Sequence, residues 1–177
     1  MNLCVIITER LYLRRWIESD TQQFIEMNND PEVMQYFPNK LTDTESLDLL
    51  KRINNSFDCN GFGLFAVEKK ETNEFIGFTG FAIPKFKMFF TPCVEIGWRY
   101  KRKSWGQGFA TEAAKACLRY GFETLNFDKI VSFTSATNKK SEQVMQRIGM
   151  KYVTDFNHPE IDQTNRLCRH VLYEIAK

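Results

Sequence analysis

The amino-acid sequence predicts a single α+β (mixed α/β) domain built around one sheet. Its 177 residues are enough to bury a substantial core, and they fit one domain spanning the whole chain, residues 1–177. Strand-like and helix-like segments follow each other in the order strand, two helices, three strands, helix, strand, helix and two strands. This order, without repeats or linkers, is typical of α+β and mixed α/β domains.

The composition of the chain argues against a membrane or a nucleic acid as its partner. Hydrophobic residues make up 43% of the chain and charged residues 26%, and no stretch approaches the length of a membrane-spanning helix. The apolar run 3–7 is too short for a signal-peptide core and is followed at once by Glu9 and Arg10, so we expect a cytoplasmic protein without a membrane partner. The net charge of +2 is too small to indicate a nucleic-acid partner.

The cysteines argue against covalent or metal crosslinks. They are odd in number, widely scattered and free of CxxC pairs: Cys4, Cys59, Cys93, Cys117 and Cys168. Neither a disulfide framework nor a zinc site fits this distribution. We therefore expect reduced, mostly buried thiols and no metal cofactor.

The N-terminal segment predicts a strand followed by two helices. Residues 11–16 alternate well enough for the strand, and Ser19 with Gln22 three residues later is typical of a capping box that opens a helix. The apolar side of this helix is supplied by Phe24, Ile25 and Met27. It should end before Pro31, because a residue that precedes proline is pushed out of the α region. The second helix is predicted over residues 44–56, with one apolar face formed by Leu47, Leu50 and Ile53.

An antiparallel hairpin comes next. Residues 59–61 end the second helix, and two segments rich in aromatic and apolar residues follow, at 62–67 and 75–82. Residues 71–73 lie between them as a turn. The chain then continues through a loop with exposed-looking phenylalanines and another strand, predicted at residues 85–92 and 93–98.

The C-terminal half alternates helices with strands. From Ala110 onward, apolar and small residues fall at helical spacing and favour close packing on a sheet: Ala113, Ala114, Cys117, Leu118 and Leu125. Asn138 can cap a further helix that runs through Arg147, and Gly149 supplies its left-handed end. Three more strands are predicted, at residues 129–134, 152–156 and 170–175.

The glycine pair Gly106 and Gly108 is the first candidate for a binding site. It follows an apolar strand and a basic connector, residues 101–103, and it leads into a helix. Backbone without Cβ atoms and the unpaired N–H groups of a helix start together favour a phosphate, here a pyrophosphate. Two other interpretations stay open on this pattern alone: a tight strand-to-helix turn, and a dinucleotide-binding loop, although residues 109–111 lack the third glycine such a loop needs.

Several motifs resemble the GNAT superfamily of acyl-CoA-dependent N-acetyltransferases. They are Glu95-Ile96-Gly97-Trp98, the run 105–113, and Asn138-Lys139-Lys140-Ser141 before Ile148-Gly149-Met150. Segments 8–11, 30–34 and 169–173 look like its branch of ribosomal-protein-alanine N-acetyltransferases, so the resemblance spans nearly the whole chain. Lys103 stands where the superfamily's phosphate-loop pattern usually has Gln or Arg, a position that contributes largely through its backbone.

The resemblance implies a fold and a reaction. The fold is a central, mostly antiparallel sheet with a splayed parallel strand pair, flanked by helices. The reaction is acetyl transfer from acetyl-CoA to a primary amine, a protein N-terminus or a small amine, by direct attack and without a metal. A non-catalytic acyl-CoA-binding or protein-interaction module of the same fold is the alternative. Dimers are common for this architecture, so a homodimer is the candidate assembly.

The resemblance also implies site residues. The pantetheine arm would pair with the splayed strand, the pyrophosphate would meet the amides of the loop, and Asn138 would contact the arm: the cofactor-binding set is Ile96, Gly97, Trp98, Lys103, Ser104, Trp105, Gly106, Gln107, Gly108, Phe109, Ala110, Asn138 and Ser141. The Trp98 N–H is the candidate oxyanion donor. Ser141 is the candidate general acid for the departing thiolate, and Glu95 is the candidate general base.

Alternatives remain for several of these roles. Glu95 could instead be a strand carboxylate paired with a neighbouring cation, and weaker candidates for the base are Asp155, His158 and Glu160. His170 is predicted to be packed rather than catalytic. The connector cations, Lys101, Arg102 and Lys103, either meet the ribose phosphate or form a solvated charge run. Residues 85–90 combine lysines with phenylalanines; they fit a packed loop better than a nucleic-acid surface, and with residues 34–37 they are the predicted acceptor-facing wall.

Overall fold

The computed structural model describes residues 4–177 and places them around one mixed sheet. The strands are β1 (Cys4–Ile7), β2 (Leu11–Arg14), β3 (Leu64–Lys69), β4 (Glu74–Ala82), β5 (Glu95–Tyr100), β6 (Lys129–Ser135), β7 (Lys151–Asn157) and β8 (Arg169–Ala176). The helices are α1 (Thr21–Asn29), α2 (Asp43–Asn60), α3 (Phe109–Glu123) and α4 (Lys139–Arg147). Among residues 4–177, no helix is long and apolar enough to cross a membrane.

The strand order is β1-β2-β3-β4-β5-β6-β8-β7, and one neighbouring pair is parallel. Strands β5 and β6 share a single register position, Glu95 opposite Val131, whereas β6 and β8 pair along their length. The predicted fold class, a mostly antiparallel sheet with a splayed parallel pair, is confirmed. The sheet therefore opens between β5 and β6 beyond Glu95.

The two faces of β5 look toward different helices, because successive side chains of a strand point to opposite faces. Arg99 donates a hydrogen bond to Asn28 of α1, so the Arg99 side chain lies on the face of the sheet that packs against α1. Tyr100 is buried and bonds Thr79, and it lies on the face that α3 covers. Glu95 and Gly97 share the Arg99 face by alternation.

The helix boundaries are set by local capping. Thr42 accepts from the backbone N–H of Glu45, whose carboxylate bonds the Thr42 N–H in return, and this capping box starts α2. Gly61, at φ 77°, ends α2 in the left-handed conformation. Gly149 follows α4 at φ 89°, which confirms it as the predicted left-handed end.

Some sequence-based predictions about the N-terminal half were wrong. The capping box of Ser19 and Gln22 does not form; Glu18–Asp20 is a 3₁₀ turn, and the Asp20 carboxylate accepts from the Ile17 N–H and from the Arg14 guanidinium. The buried ion pair to Arg14 thus decides the helix start. Leu47 is 47% exposed and lies outside the apolar face of α2, while Leu50 and Ile53 are buried.

Strand β1 was not predicted at all. Its four residues were interpreted as a short apolar run, and Leu3 of that run lies outside the described residues. Of the four, Ile6 alone is buried, because β1 is an edge strand that pairs with β2 only. The expectation of mostly buried cysteines was also wrong: Cys117 and Cys168 are buried, Cys4 and Cys93 are half-buried, and Cys59 is exposed.

Candidate active site

A cleft of about 990 Å³ lies where β5 and β6 separate. The two strands are held together at its base by the Val131 N–H, which donates to the Val94 carbonyl at 2.9 Å. The Ser132 hydroxyl donates to the Ile96 carbonyl at 2.9 Å. Most of the predicted site residues line the cleft: Glu95, Gly97, Trp98, Ser104, Trp105, Gly106, Gly108, Phe109, Ala110, Asn138 and Ser141.

The glycine loop forms one end of the cleft. Gly106 has φ 75° and Gly108 has φ 82°, and Gly108 is the residue immediately before α3. No heavy atom lies within 4 Å of where a Cβ would stand at Gly106, whereas at Gly108 the Arg10 guanidinium lies 3.4 Å away. The first N–H groups of α3 face an open cavity, which is the arrangement that favours an anion.

Arg10 braces this loop from outside, and the sequence did not mark it as part of the site. Its Nη1 donates to the Gln107 carbonyl at 3.0 Å, and its Nε pairs with the Glu112 carboxylate of α3 at 2.6 Å. Thr8 donates to the same carboxylate at 2.6 Å. The first loop of the chain thus fixes the start of α3, over a sequence separation that no local pattern reveals.

Three predicted cofactor-binding residues do not line the cleft. Ile96 is fully buried in the core. The Lys103 side chain pairs with Glu74, and the Gln107 side chain donates to the Lys103 carbonyl at 2.8 Å. The other two connector cations are also engaged within the chain, Lys101 with Gln23 and Arg102 with Glu32. The connector is therefore a set of intramolecular contacts rather than a free charge run.

Asn138 and Ser141 form one hydrogen-bonded unit at the start of α4. The Asn138 Oδ1 accepts from the Ser141 backbone N–H at 3.3 Å, which makes Asn138 the helix cap. Its Nδ2 donates to the Ser141 Oγ at 3.1 Å and to the Thr134 Oγ1 at 3.0 Å. Since the Ser141 oxygen accepts from an amide, its own O–H is directed elsewhere, and the residue lines the cleft.

Glu95 stands at the last shared position of β5 and β6. Among residues 4–177 it has no hydrogen-bond or ion-pair partner for its carboxylate, so the structural pairing considered for it is absent there. Burial raises its pKa from the ordinary 4.5 to about 8. A carboxyl with this pKa can hold or release a proton near neutral pH.

Comparison with known proteins decides the family. A family model described as an acetyltransferase (GNAT) domain matches residues 10–151. The chain belongs to the GNAT acetyltransferase family. It is similar to the uncharacterized protein YkkB of Bacillus subtilis, with 32% identity over 148 residues that cover 83% of this chain and 85% of YkkB. It is also similar to the FsC-acetyl coenzyme A-N(2)-transacetylase of Aspergillus fumigatus, with 32% identity over 75% of this chain and 58% of that protein.

Solved structures agree with this assignment. The GNAT-family acetyltransferase from Bacillus anthracis superimposes with a TM-score of 0.80 and 28% identity, covering 97% of both chains. The ribosomal-protein-S5-alanine acetyltransferase from Vibrio fischeri superimposes with a TM-score of 0.73, covering 97% of this chain and 96% of that one. At 16% identity the latter shows the fold alone. The protein is thus an acetyl-CoA-dependent N-acetyltransferase.

The weaker candidates for a base occupy different places in the acetyltransferase. Asp155 pairs with Arg169 and Tyr152 and does not line the cleft. His158 and Glu160 do line it. His170 also lines it but is buried; its Nδ1 contacts the Cys168 carbonyl, and burial lowers its pKa to about 4, as expected of a packed histidine.

The far wall of the acetyltransferase's cleft is aromatic. Tyr36 and Phe37, from the predicted acceptor-facing segment, line it, whereas no residue of 85–90 does. Phe86 instead packs behind Phe133, with ring centroids 5.6 Å apart. The prediction that residues 85–90 form the wall is therefore wrong for direct contact, because their rings fill a second hydrophobic cluster around Phe133 and Phe156.

Arg99 was not identified from the sequence, although a signal was present. Glu95, Gly97 and Arg99 alternate along one strand, so they must share a face. Arg99 lines the cleft on the α1 side, where its guanidinium lies 4.2 Å from the Phe37 ring centroid.

Proposed function

We propose that this protein moves the acetyl group of acetyl-CoA to a primary amine by direct attack, and that the acceptor is a protein N-terminus or a small amine. The observation that carries the proposal is the unpaired Glu95 carboxyl at the point where β5 and β6 part. Family membership supplies acetyl-CoA as the donor, and the open glycine loop supports a pyrophosphate at the start of α3.

A base is needed because amines are mostly protonated at neutral pH. Glu95, with its pKa near 8, is the proposed acceptor of the amine proton, directly or through a water it orients. The amine nitrogen then bonds to the thioester carbonyl carbon, the carbon–sulfur bond breaks, and the second proton that the nitrogen loses replaces, through water, the proton given to the thiolate. The developing oxyanion is assigned to the Trp98 backbone N–H, on the strand that leaves β6.

Ser141 is the proposed donor of a proton to the departing thiolate. The amide of Asn138 points at the Ser141 oxygen, which leaves the hydroxyl proton free to be given to another acceptor. Asn138 would also meet the pantetheine arm. Both residues belong to the β6 side of the cleft, whereas the glycine loop belongs to the β5 side, so the cofactor would lie between them.

We expect Ser141→Ala to keep acetyl-CoA affinity within about twofold and to lower kcat by roughly 10- to 100-fold, because a positioned proton donor is lost while the cradle is intact. Stopped assays of free CoA thiol and calorimetric titration with CoA measure the two effects. Ser56→Ala is the matched control, since the Ser56 hydroxyl donates to the Phe62 carbonyl away from the cleft, and this variant should keep full turnover. Full turnover by Ser141→Ala would remove this residue from the mechanism.

The alternative is an acyl-CoA-binding or protein-interaction module that turns nothing over. A pooled panel of amines and peptides, incubated with acetyl-CoA and analysed by mass spectrometry, separates the two functions. A gain of one acetyl group on a panel member supports the enzyme. Tight CoA binding without thiol release across the panel supports the module. A cytoplasmic location, a homodimer and a likeness in acceptor to the ribosomal-protein-alanine branch stay predictions.

A further inference from the structure

Arg99 is a half-buried cation whose charge no described carboxylate balances. Its Nη1 donates to the Asn28 side-chain oxygen at 2.5 Å, and its Nε is shielded from water without a hydrogen-bond partner. Within residues 4–177, no carboxylate lies within 4.0 Å of it, while Arg10 and Arg102 each have one such partner and Arg14 has two. An uncompensated charge in such a place is costly.

The contacts of Arg99 within the chain are to aromatic rings and to a neutral amide, and none of them neutralises its charge. The guanidinium lies over the Phe37 ring at 4.2 Å and near the Phe78 ring at 5.3 Å. The bond to Asn28 is one that a neutral donor could make. Burial lowers the Arg99 pKa to about 10, so the group is still charged at neutral pH. Its charge therefore faces the cleft unpaired.

Arg99 and Glu95 both line the cleft, and no side chain of β5 lies between them on that face. The two α-carbons are four residues apart on a strand, roughly 13 Å. Between them, Gly97 has no side chain, and a Cβ added there would meet only the Glu95 Oε1, at 3.8 Å. The carboxyl of Glu95 thus leans toward Gly97, and the space between base and cation is open.

We propose that Arg99 determines acceptor specificity by binding a carboxylate carried by the amine acceptor, which places the amine at Glu95. This inference rests on the proposed function, since it takes Glu95 as the place of the reacting amine. One unpaired guanidinium matches the single charge of a carboxylate better than the charge of about −2 on a phosphate. Arg102, the neighbouring arginine that lines the cleft, is already paired with Glu32.

The phosphate loop is a poor explanation for this charge. That loop begins beyond Tyr100, and the Arg99 side chain instead contacts α1 and the segment containing Phe37. Its contact with Phe37 puts Arg99 beside the predicted acceptor-facing wall. A polyamine would place a cation beside Arg99 and would be repelled.

The test uses matched acceptors that differ only in one charge. ω-Amino acids of increasing chain length are compared with their primary amides, and di- and tripeptides with a free C-terminus are compared with amidated ones. ω-Aminoalkyl phosphates and spermidine complete the panel. We expect the wild type to prefer the acid over its amide by about 10- to 100-fold in kcat/KM, mostly through KM, as a charge-assisted hydrogen bond would give. The best chain length reports the distance from Glu95.

Arg99→Met should bring the acid-to-amide ratio to within about twofold of one, while Arg119→Met, an exposed charge on α3, should leave it unchanged. Unchanged acetyl-CoA affinity and a cooperative thermal transition no lower than that of the wild type establish that the Arg99→Met variant is folded, and Arg99→Lys should restore part of the preference. Equal use of acid and amide by the wild type, a preference that survives in Arg99→Met, or a stronger preference for spermidine or the phosphates would overturn the proposal.

If the proposed acetyl transfer is wrong, the experiments give a result that differs from a failure of the carboxylate site. If no panel member gains an acetyl group, calorimetric binding of the same acids and amides to the CoA-loaded protein replaces turnover as the readout. Acid-selective binding that Arg99→Met abolishes supports the anion site without acetyl transfer. Binding with no acid preference refutes it.

Discussion

Replacement of Glu95 by glutamine is expected to lower kcat by about 10²- to 10⁴-fold while acetyl-CoA affinity stays within about twofold. The amide keeps the shape of the carboxyl and loses its ability to take the amine proton. Steady-state kinetics and CoA titration measure the two effects. Glu160→Gln is the matched control, because Glu160 also lines the cleft. A loss of turnover in Glu160→Gln, with full activity in Glu95→Gln, would transfer the role of base to Glu160.

The pH dependence follows from the same group. Burial raises the Glu95 pKa to about 8, so the base is protonated and inactive below that pH. We expect kcat/KM of the wild type to rise about tenfold per pH unit below pH 8 and to level off above it, unless the amine's own titration adds a second rise. Glu95→Gln should lose this inflection, which separates a catalytic carboxyl from a merely structural one.

The raised pKa of Glu95 also lowers the stability of the folded state at high pH. The folded state holds the Glu95 proton more tightly than the unfolded state, so this contribution is fully present below about pH 4.5 and is lost as the pH rises through 8. Glu95→Gln removes that loss. Its free energy of unfolding should exceed that of the wild type at pH 9 by something on the order of 2–4 kcal/mol, and the difference should vanish at pH 4. Chemical denaturation at the two pH values checks both ends.

Gly108→Val should weaken acetyl-CoA binding by roughly 100-fold or more. Gly108 has φ 82°, a conformation that a β-branched residue adopts only with strain, and it is the N-cap of α3, where the proposed pyrophosphate would lie. A valine would strain the backbone and place its side chain against the Arg10 guanidinium, which lies 3.4 Å from where the Cβ would stand, so the loop amides would be displaced. Calorimetric titration with CoA measures the loss.

The matched control is Gly61→Val. Gly61 has φ 77° and open space around it, as Gly108 nearly has, but it ends α2 away from the cleft. Both variants should lose comparable stability, and Gly61→Val should keep its CoA affinity. Equal CoA affinity in the two folded variants would contradict the phosphate-loop assignment.

The features that could be predicted from the sequence are those set by interactions within a few residues, such as helix ends and a hairpin turn. Asn138 and Gly149 bound their helix as expected, because a capping amide and a left-handed glycine act within a few residues. The hairpin of β3 and β4 followed from two apolar runs and the turn at Asn73. The splayed pair was available only through resemblance to a family.

Long-range contacts account for what was missed. Strand β1 is short and mostly exposed, so its alternation carries little signal. Arg10 reaches the glycine loop across nearly one hundred positions, and Arg99 becomes significant only because α1 and Phe37 enclose it while no described carboxylate does. Glu95 was predicted by resemblance, but only the structure shows that its carboxylate has no partner among residues 4–177.

The short pairing between β5 and β6 affects the stability of the folded state as well as the chemistry of the site. Within the sheet, strands β5 and β6 are joined by one register position, with its hydrogen bond from Val131 to Val94, and by the Ser132 hydroxyl that donates to the Ile96 carbonyl, while the core beneath the sheet is continuous. A cofactor that touches the glycine loop on one side and α4 on the other would clamp the two parts. At 100 times its dissociation constant, such a ligand adds about 2.7 kcal/mol to the stability of the folded state. Acetyl-CoA bound across the opening of the sheet would then stabilise the folded state as well as supply the acetyl group.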